Sequence, residues 1–207
     1  MPYFTQLQAP DLAELGEPLA ARLIVAMLFH GKEAPSEPSV SRFLTGFVMV
    51  TDKAIREYRA GRETLIAYSN SNNQLLMMFD GVGRMETSIN SAKRALRLLG
   101  RIASSNSSLS VDRTLRKLAQ GSENTLTPIR DAIEHIDTDI TVTGALKPGE
   151  AHLLGVNHSG EYLEIARHRI SFTSLANSLR TLHRTGTEMV QTLPQAQQAT
   201  VAANSDA

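Results

Sequence analysis

The apolar positions of this chain recur mostly three and four residues apart, the spacing that places side chains on one face of an α-helix. Pro18 suits a first helical turn, and Leu19, Leu23, Ile24, Met27 and Leu28 follow at that spacing until Gly31, a residue suited to a left-handed stop. Lys32 to Pro38, with two prolines and alternating charge, reads as a connecting loop. Ser39 or Ser41 can cap a second helix with Val40, Phe43, Leu44, Phe47, Val48 and Ile55 on one stripe, and Arg56, Arg59 and Gly61 predict its end. Arg62 to Phe79 is expected to be helical, apolar at both ends and polar across Ser69 to Asn73. Gly81-Val82-Gly83 reads as a helix break. It is not a dinucleotide fingerprint, because no strand precedes it and no third glycine falls in place. Beyond it Met85, Ile89, Ala92, Leu96 and Leu99 predict an amphipathic helix, with Lys93, Arg94, Arg97 and Arg101 on its other side.

After a Ser/Asn-rich loop from Ser104 to Ser110, Val111, Leu115 and Leu118 predict a short helix closed by Gly121. Thr127 as N-cap and Pro128 as first residue then predict a new helix start, with Leu126, Ile129, Ile133, Ile136 and Ile140 on the core-facing stripe. The pattern changes past the irregular turns at Thr143-Gly144 and Pro148-Gly149. Ala151 to Val156 and Glu161 to Phe172 read as two strands around the turn-forming Asn157 to Gly160, a hairpin over about 151–172. Ser171 or Thr173 can cap a last helix carrying Phe172, Leu175, Leu179 and Leu182. From residue 193 to 207 large apolar residues almost disappear, which predicts a disordered or extended tail. The pattern as a whole predicts a mostly α fold: an antiparallel helical bundle with a small C-terminal β-hairpin and a final helix, in a single domain over residues 1–192.

Composition narrows the function classes. Twenty-one Lys and Arg balance twenty-one Asp and Glu, so any nucleic-acid contact must come from a local patch. The absence of cysteine removes disulfides, thiolate nucleophiles and cysteine-ligated metals. The longest apolar run, Leu23 to Phe29, is far below the roughly 20 residues of a membrane-spanning helix, and no secretory pattern precedes it. A cytoplasmic protein with no membrane partner is expected.

Candidate chemistry concentrates in Ile129-Arg130-Asp131-Ala132-Ile133-Glu134-His135-Ile136-Asp137. Asp131 and His135 lie four apart and opposite the isoleucine stripe, close enough on a helix for the carboxylate to orient the imidazole. Arg130 diverges from His135 by about 140° on an ideal helix, so a second copy of the helix across a two-fold axis, or a long reach, must bring the two together. A helix start at Pro128 would also set Arg130 beside unpaired backbone N–H groups, which bind phosphate. Metal-free RNA cleavage needs a base for the 2′-hydroxyl, an acid for the leaving oxygen and a cation for the charge at phosphorus. His135 suits the first two roles and Arg130 the third.

The run Arg130-Asp131-Ala132-Ile133-Glu134-His135 resembles the signature of the HEPN superfamily (higher eukaryote and prokaryote nucleotide-binding), an arginine followed by a polar residue and then, after four to six intervening residues, a histidine. The resemblance implies a helical, commonly dimeric bundle. It also implies, in active members, a metal-independent endoribonuclease of the toxin or antiviral type, often paired with a nucleotidyltransferase-like antitoxin. Arg130 and His135 would then be catalytic with Asp131 assisting, Glu134 and Asp137 would support them, and Lys93, Arg94, Arg97 and Arg101 would form a candidate RNA-contacting strip. No cofactor and no metal are expected. The competing expectation is a noncatalytic dimerisation or interaction module of the same fold, in which Arg130–Glu134 and Asp131–His135 are surface pairs and the basic strip is a solvated face.

Overall fold

The computed structural model of the protein describes residues 3–4, 6–71, 74–105, 109, 111–141 and 151–195, and only the backbone of 136–140 and 151–152. The fold is mostly α, with five helices and a small antiparallel sheet inserted before the last of them. The helices are α1 (Leu19–Phe29), α2 (Pro38–Ser69), α3 (Leu75–Ser104), α4 (Arg113–Thr141) and α5 (Phe172–Gln191). The strands are β1 (Ala151–Val156), β2 (Tyr162–Ala166) and β3 (His168–Ser171).

α2 and α3 run longer than the sequence pattern predicts. α2 passes through Gly61 to Ser69, the chain reverses within the polar stretch expected to be helical, and α3 runs unbroken through Gly81-Val82-Gly83. These glycines serve a close approach. A Cβ on Gly61 would meet the Gly81 carbonyl oxygen at 2.9 Å, and one on Gly81 would meet Leu65 Cγ at 2.7 Å. Summed over a long amphipathic helix whose face is buried, packing outweighs the cost of about 1 kcal/mol that an interior glycine carries relative to alanine. The start of α2 also differs from expectation: Pro38 is its first residue after Glu37, and neither Ser39 nor Ser41 caps it. Proline tolerates that position because its missing N–H would have no helical partner there.

α1 turns Leu19, Leu23 and Ala26 inward and leaves Ile24, Met27 and Leu28 of the expected buried stripe exposed. Gly31 then takes the left-handed conformation at φ 58°. The loop that follows is tied to the end of the chain: Lys32 Nζ donates to the Leu193 carbonyl at 2.8 Å and Glu33 N to that of Pro194 at 2.9 Å. Leu193 is buried, so the expected tail does not begin there; residues 196–207 lie outside the described ones.

The hairpin region is a three-stranded meander ordered β1-β2-β3, because the second expected strand folds back at Ala166 and Arg167. Ala166 takes φ 50° at that turn. Leu154, Val156, Leu163, Ile165 and Ile170 bury one face of the sheet, which packs on α4. Ser171 Oγ accepts the Ser174 N–H at 3.0 Å and so caps α5. Phe172, Leu175, Leu179 and Leu182 are then fully buried against the bundle.

The segment before α1 is strapped over this core by side chains of α2 and α5. Tyr58 Oη donates to the Pro10 carbonyl, Arg62 Nε to that of Ala9 and Arg180 Nη2 to that of Asp11, each at 2.9 Å. His183 on α5 is buried beside them, and burial pushes its imidazole below the ordinary value of 6.5. The contact of Nε2 with the Glu17 carbonyl, at 3.4 Å, opposes that shift only in part. A histidine with a lowered folded-state pKa binds fewer protons folded than unfolded, so its contribution to stability is complete above the unfolded value and is lost as pH falls. Unfolding in urea should therefore show a midpoint that drops as pH is lowered below about 6.5, and His183→Gln should flatten that dependence; an unchanged slope in the variant would assign the pH response to other groups.

Candidate functional site

α4 carries the candidate chemistry, and its construction differs from the two short helices that the sequence predicts. The Asp112 carboxylate accepts the N–H of Thr114 at 2.7 Å and of Leu115 at 3.2 Å, capping a helix that continues for 29 residues. The same backbone donors hold the Asp112 carboxyl below its ordinary range. Neither Gly121 nor Thr127-Pro128 interrupts this helix, and Pro128 lies inside it. Proline removes one backbone donor there and clashes with the preceding turn, a cost offset by burying Leu115, Ala119, Leu126, Ile129 and Ala132 on one side. Arg130 thus lies mid-helix, where backbone N–H groups are already spent, and the expected phosphate cradle at a helix start is absent.

Burial of Ile129 projects the neighbouring Arg130 along the boundary between α4 and α3. Its side chain is 21% exposed and held by two carboxylates of its own helix. Nη1 donates to Asp131 Oδ1 at 3.1 Å, and Nη2 contacts Glu134 Oε1. His135 is exposed one residue further on. Among the described residues no hydrogen bond joins Asp131 to His135, because Asp131 turns to the adjacent guanidinium, a full positive charge with several donors. Asp137 lies on α4 but its side chain is outside the described part.

What the structure brings together is Arg130 and the basic side of α3. A groove of about 280 Å³ between the two helices is walled by Asn90, Lys93, Arg94 and Arg97 on one side and Arg130 and Glu134 on the other. Arg94 and Arg97 are exposed and form no ion pair among the described residues, which leaves the mouth of the groove cationic. Arg101 is exposed but lies outside the groove, and neither Asp131 nor His135 lines it.

Lys93 departs from the solvated face on which the sequence sets it. It is 9% exposed, and Nζ reaches Glu123 Oε1 at 2.8 Å and Thr127 Oγ1 at 2.6 Å on α4. Thr127 is thereby an interhelix partner and no N-cap. The hydrophobic pattern also does not single out Asn90, whose Oδ1 is buried in the groove wall with no hydrogen-bond partner among the described residues. The available signal was its position three, four and seven residues before Lys93, Arg94 and Arg97, on the same helical face.

Among the described residues no group of three or more His, Asp or Glu side chains could hold a metal ion, and no helix is long and apolar enough to cross a membrane. Comparison with protein-family models, curated proteins and solved structures finds no match to this chain.

The Lys93 contacts fix α3 to α4 beneath the groove. Lys93→Ala removes a buried ammonium and its two acceptors' partner, with Glu123 partly exposed and able to rehydrate. The loss should be about 1–2 kcal/mol in chemical denaturation. A variant as stable as the parent would show that the pair contributes nothing to the joining of the two helices.

Proposed function

We propose that this chain is a HEPN-like, metal-independent endoribonuclease that acts as a homodimer through Arg130 and His135. The observation that supports the reading is the convergence of Arg130 with Arg94 and Arg97 in one cationic groove, next to an exposed His135. A polyanionic strand entering the groove is attracted by Arg94 and Arg97 and presents a phosphate to Arg130. Phosphate competes with Asp131 and Glu134 for the guanidinium, and the released carboxylate of Asp131 is then free to orient His135, one turn away.

In the reaction, one His135 removes the proton of the 2′-hydroxyl as that oxygen attacks phosphorus. The His135 of the second protomer donates a proton to the departing 5′-oxygen, leaving a 2′,3′-cyclic phosphate, and Arg130 stabilises the negative charge that builds on the non-bridging oxygens. The dimer supplies both an acid and a base from a chain with one such histidine, and it closes the angular gap between Arg130 and His135. On this reading the protein is a cytoplasmic effector of the toxin or antiviral type, and a nucleotidyltransferase-like antitoxin is its proposed restraining partner.

One observation favours the second reading, a noncatalytic helical dimerisation or interaction module: Arg130 is already satisfied by Asp131 and Glu134 on its own helix. Incubation of the purified full chain with mixed RNA in excess EDTA separates the two. The enzyme reading expects fragments with 2′,3′-cyclic phosphate ends and a rate lowered roughly 100-fold or more by His135→Ala or Arg130→Ala. Intact RNA at high protein concentration would replace it with the interaction module, and cleavage that survives both substitutions would remove Arg130 and His135 from the reaction.

A further inference from the structure

A cavity of about 510 Å³ lies away from the α3–α4 groove. It is enclosed by the segment leading into α1, the middle of α2 and His183 of α5. Its volume is in the range of roughly 300–1,000 Å³ that small-molecule sites occupy. Leu15, Pro18, Met49 and Ile55 give it an apolar wall, and Met49 is 58% exposed on a helix whose other inward positions are covered.

The charged groups around that wall are unequal. Asp52 is consumed by the fold: its Oδ1 and Oδ2 accept the N–H groups of Leu19 and Ala20, each at 2.8 Å, at the start of α1. Arg59 is engaged only in part. One terminal nitrogen donates to the Leu12 carbonyl at 2.5 Å, and among the described residues its buried Nε has no acceptor and no carboxylate lies within ion-pair distance. Arg56 is exposed at the same rim, its only ion pair among the described residues a 3.5 Å contact with Glu57, and Glu17 and Glu63 are exposed beside them. His183, kept neutral by burial, adds no charge to the wall at neutral pH. A second hollow of about 380 Å³ begins on the other side of Arg59, where Arg62 is already paired with Asp11 at 3.4 Å.

The Arg59 guanidinium, which lines the cavity with no carboxylate partner among the described residues, can take a ligand carboxylate in charge-assisted bonds at its remaining terminal donors, while Arg56 adds a second cation at the rim. We propose that this cavity binds a small amphipathic carboxylate, its head on Arg59 and Arg56 and its hydrocarbon body against Met49, Ile55, Leu15 and Pro18. The site is separate from Arg130 and His135, so it stands or falls independently of the ribonuclease reading.

Octanoate is a suitable probe, with 1-octanol as its uncharged counterpart. Titration calorimetry and amide chemical-shift mapping on the full chain should show octanoate binding with shifts centred on residues 15–20, 49–63 and 183. Octanol should bind at least about tenfold more weakly. Arg59→Gln should abolish the preference for the acid. Because that variant also loses the bond to Leu12, Met49→Asp provides a second test: it places a negative charge at an exposed position and should weaken octanoate while the amide spectrum stays folded. Absence of binding at millimolar octanoate, equal affinity for octanol, or binding unaffected by Met49→Asp would overturn the assignment.

Discussion

The close contact of α2 and α3 at Gly61 and Gly81 sets the position of everything else. With no side chain at either position, helices of 32 and 30 residues meet backbone to backbone. Ser88 Oγ then donates to the buried Ala54 carbonyl at 2.8 Å further along the same seam. That contact fixes the rotation of α3 about its axis. Met85, Ile89, Ala92 and Leu96 face the core, Arg94 and Arg97 face solvent, and Lys93 is turned toward α4. A side chain at either glycine would force the helices apart and carry the basic side of α3 away from Arg130.

α4 is the second half of the arrangement, and it sets Arg130 at the wall of the groove. The Lys93–Glu123–Thr127 contact joins α4 to α3 just before Pro128, and the buried Leu126 and Ile129 lock the helix on the core side. Arg130 is then confined to the groove with Asp131 and Glu134 as its resting partners. In that state the guanidinium is positioned but neutralised, and an anionic ligand would have to exchange with the carboxylates. The two exposed arginines on α3, with no ion pair among the described residues, keep the mouth of the groove cationic. The cavity beside Arg59 differs from the groove: its guanidinium has no carboxylate partner among the described residues and lies beside an apolar wall.

Much of the architecture was legible because helical periodicity reports burial directly. The stripes Val40 to Ile55, Met85 to Leu99 and Phe172 to Leu182 lie where their spacing puts them. Boundaries were less legible. Gly61, Gly81, Gly121 and Pro128 read as punctuation, yet all lie inside helices, since local propensity of a few kcal/mol yields to the packing of a long apolar face. The strand run Glu161 to Phe172 hid a turn at Ala166, where no glycine, proline or asparagine marks it. At the candidate site the sequence identified the residue types and the α3 strip, but not the groove that unites Arg94, Arg97 and Arg130. Such a union depends on how two helices rotate against each other, which no single helical wheel contains. The same limit explains Asp131: helical spacing favours a pairing with His135 four residues on over one with the adjacent Arg130, and the reach of the long guanidinium side chain reverses that preference.

The proposed meeting of His135 with its counterpart across a two-fold axis is directly measurable, because the chain contains no cysteine. His135→Cys introduces a single thiol on α4. A short bis-maleimide should couple two such chains into one covalent species in high yield, and light scattering on the unsubstituted protein should give the mass of two chains. A monomeric mass, or a dimer in which position 135 never couples, would contradict the composite site.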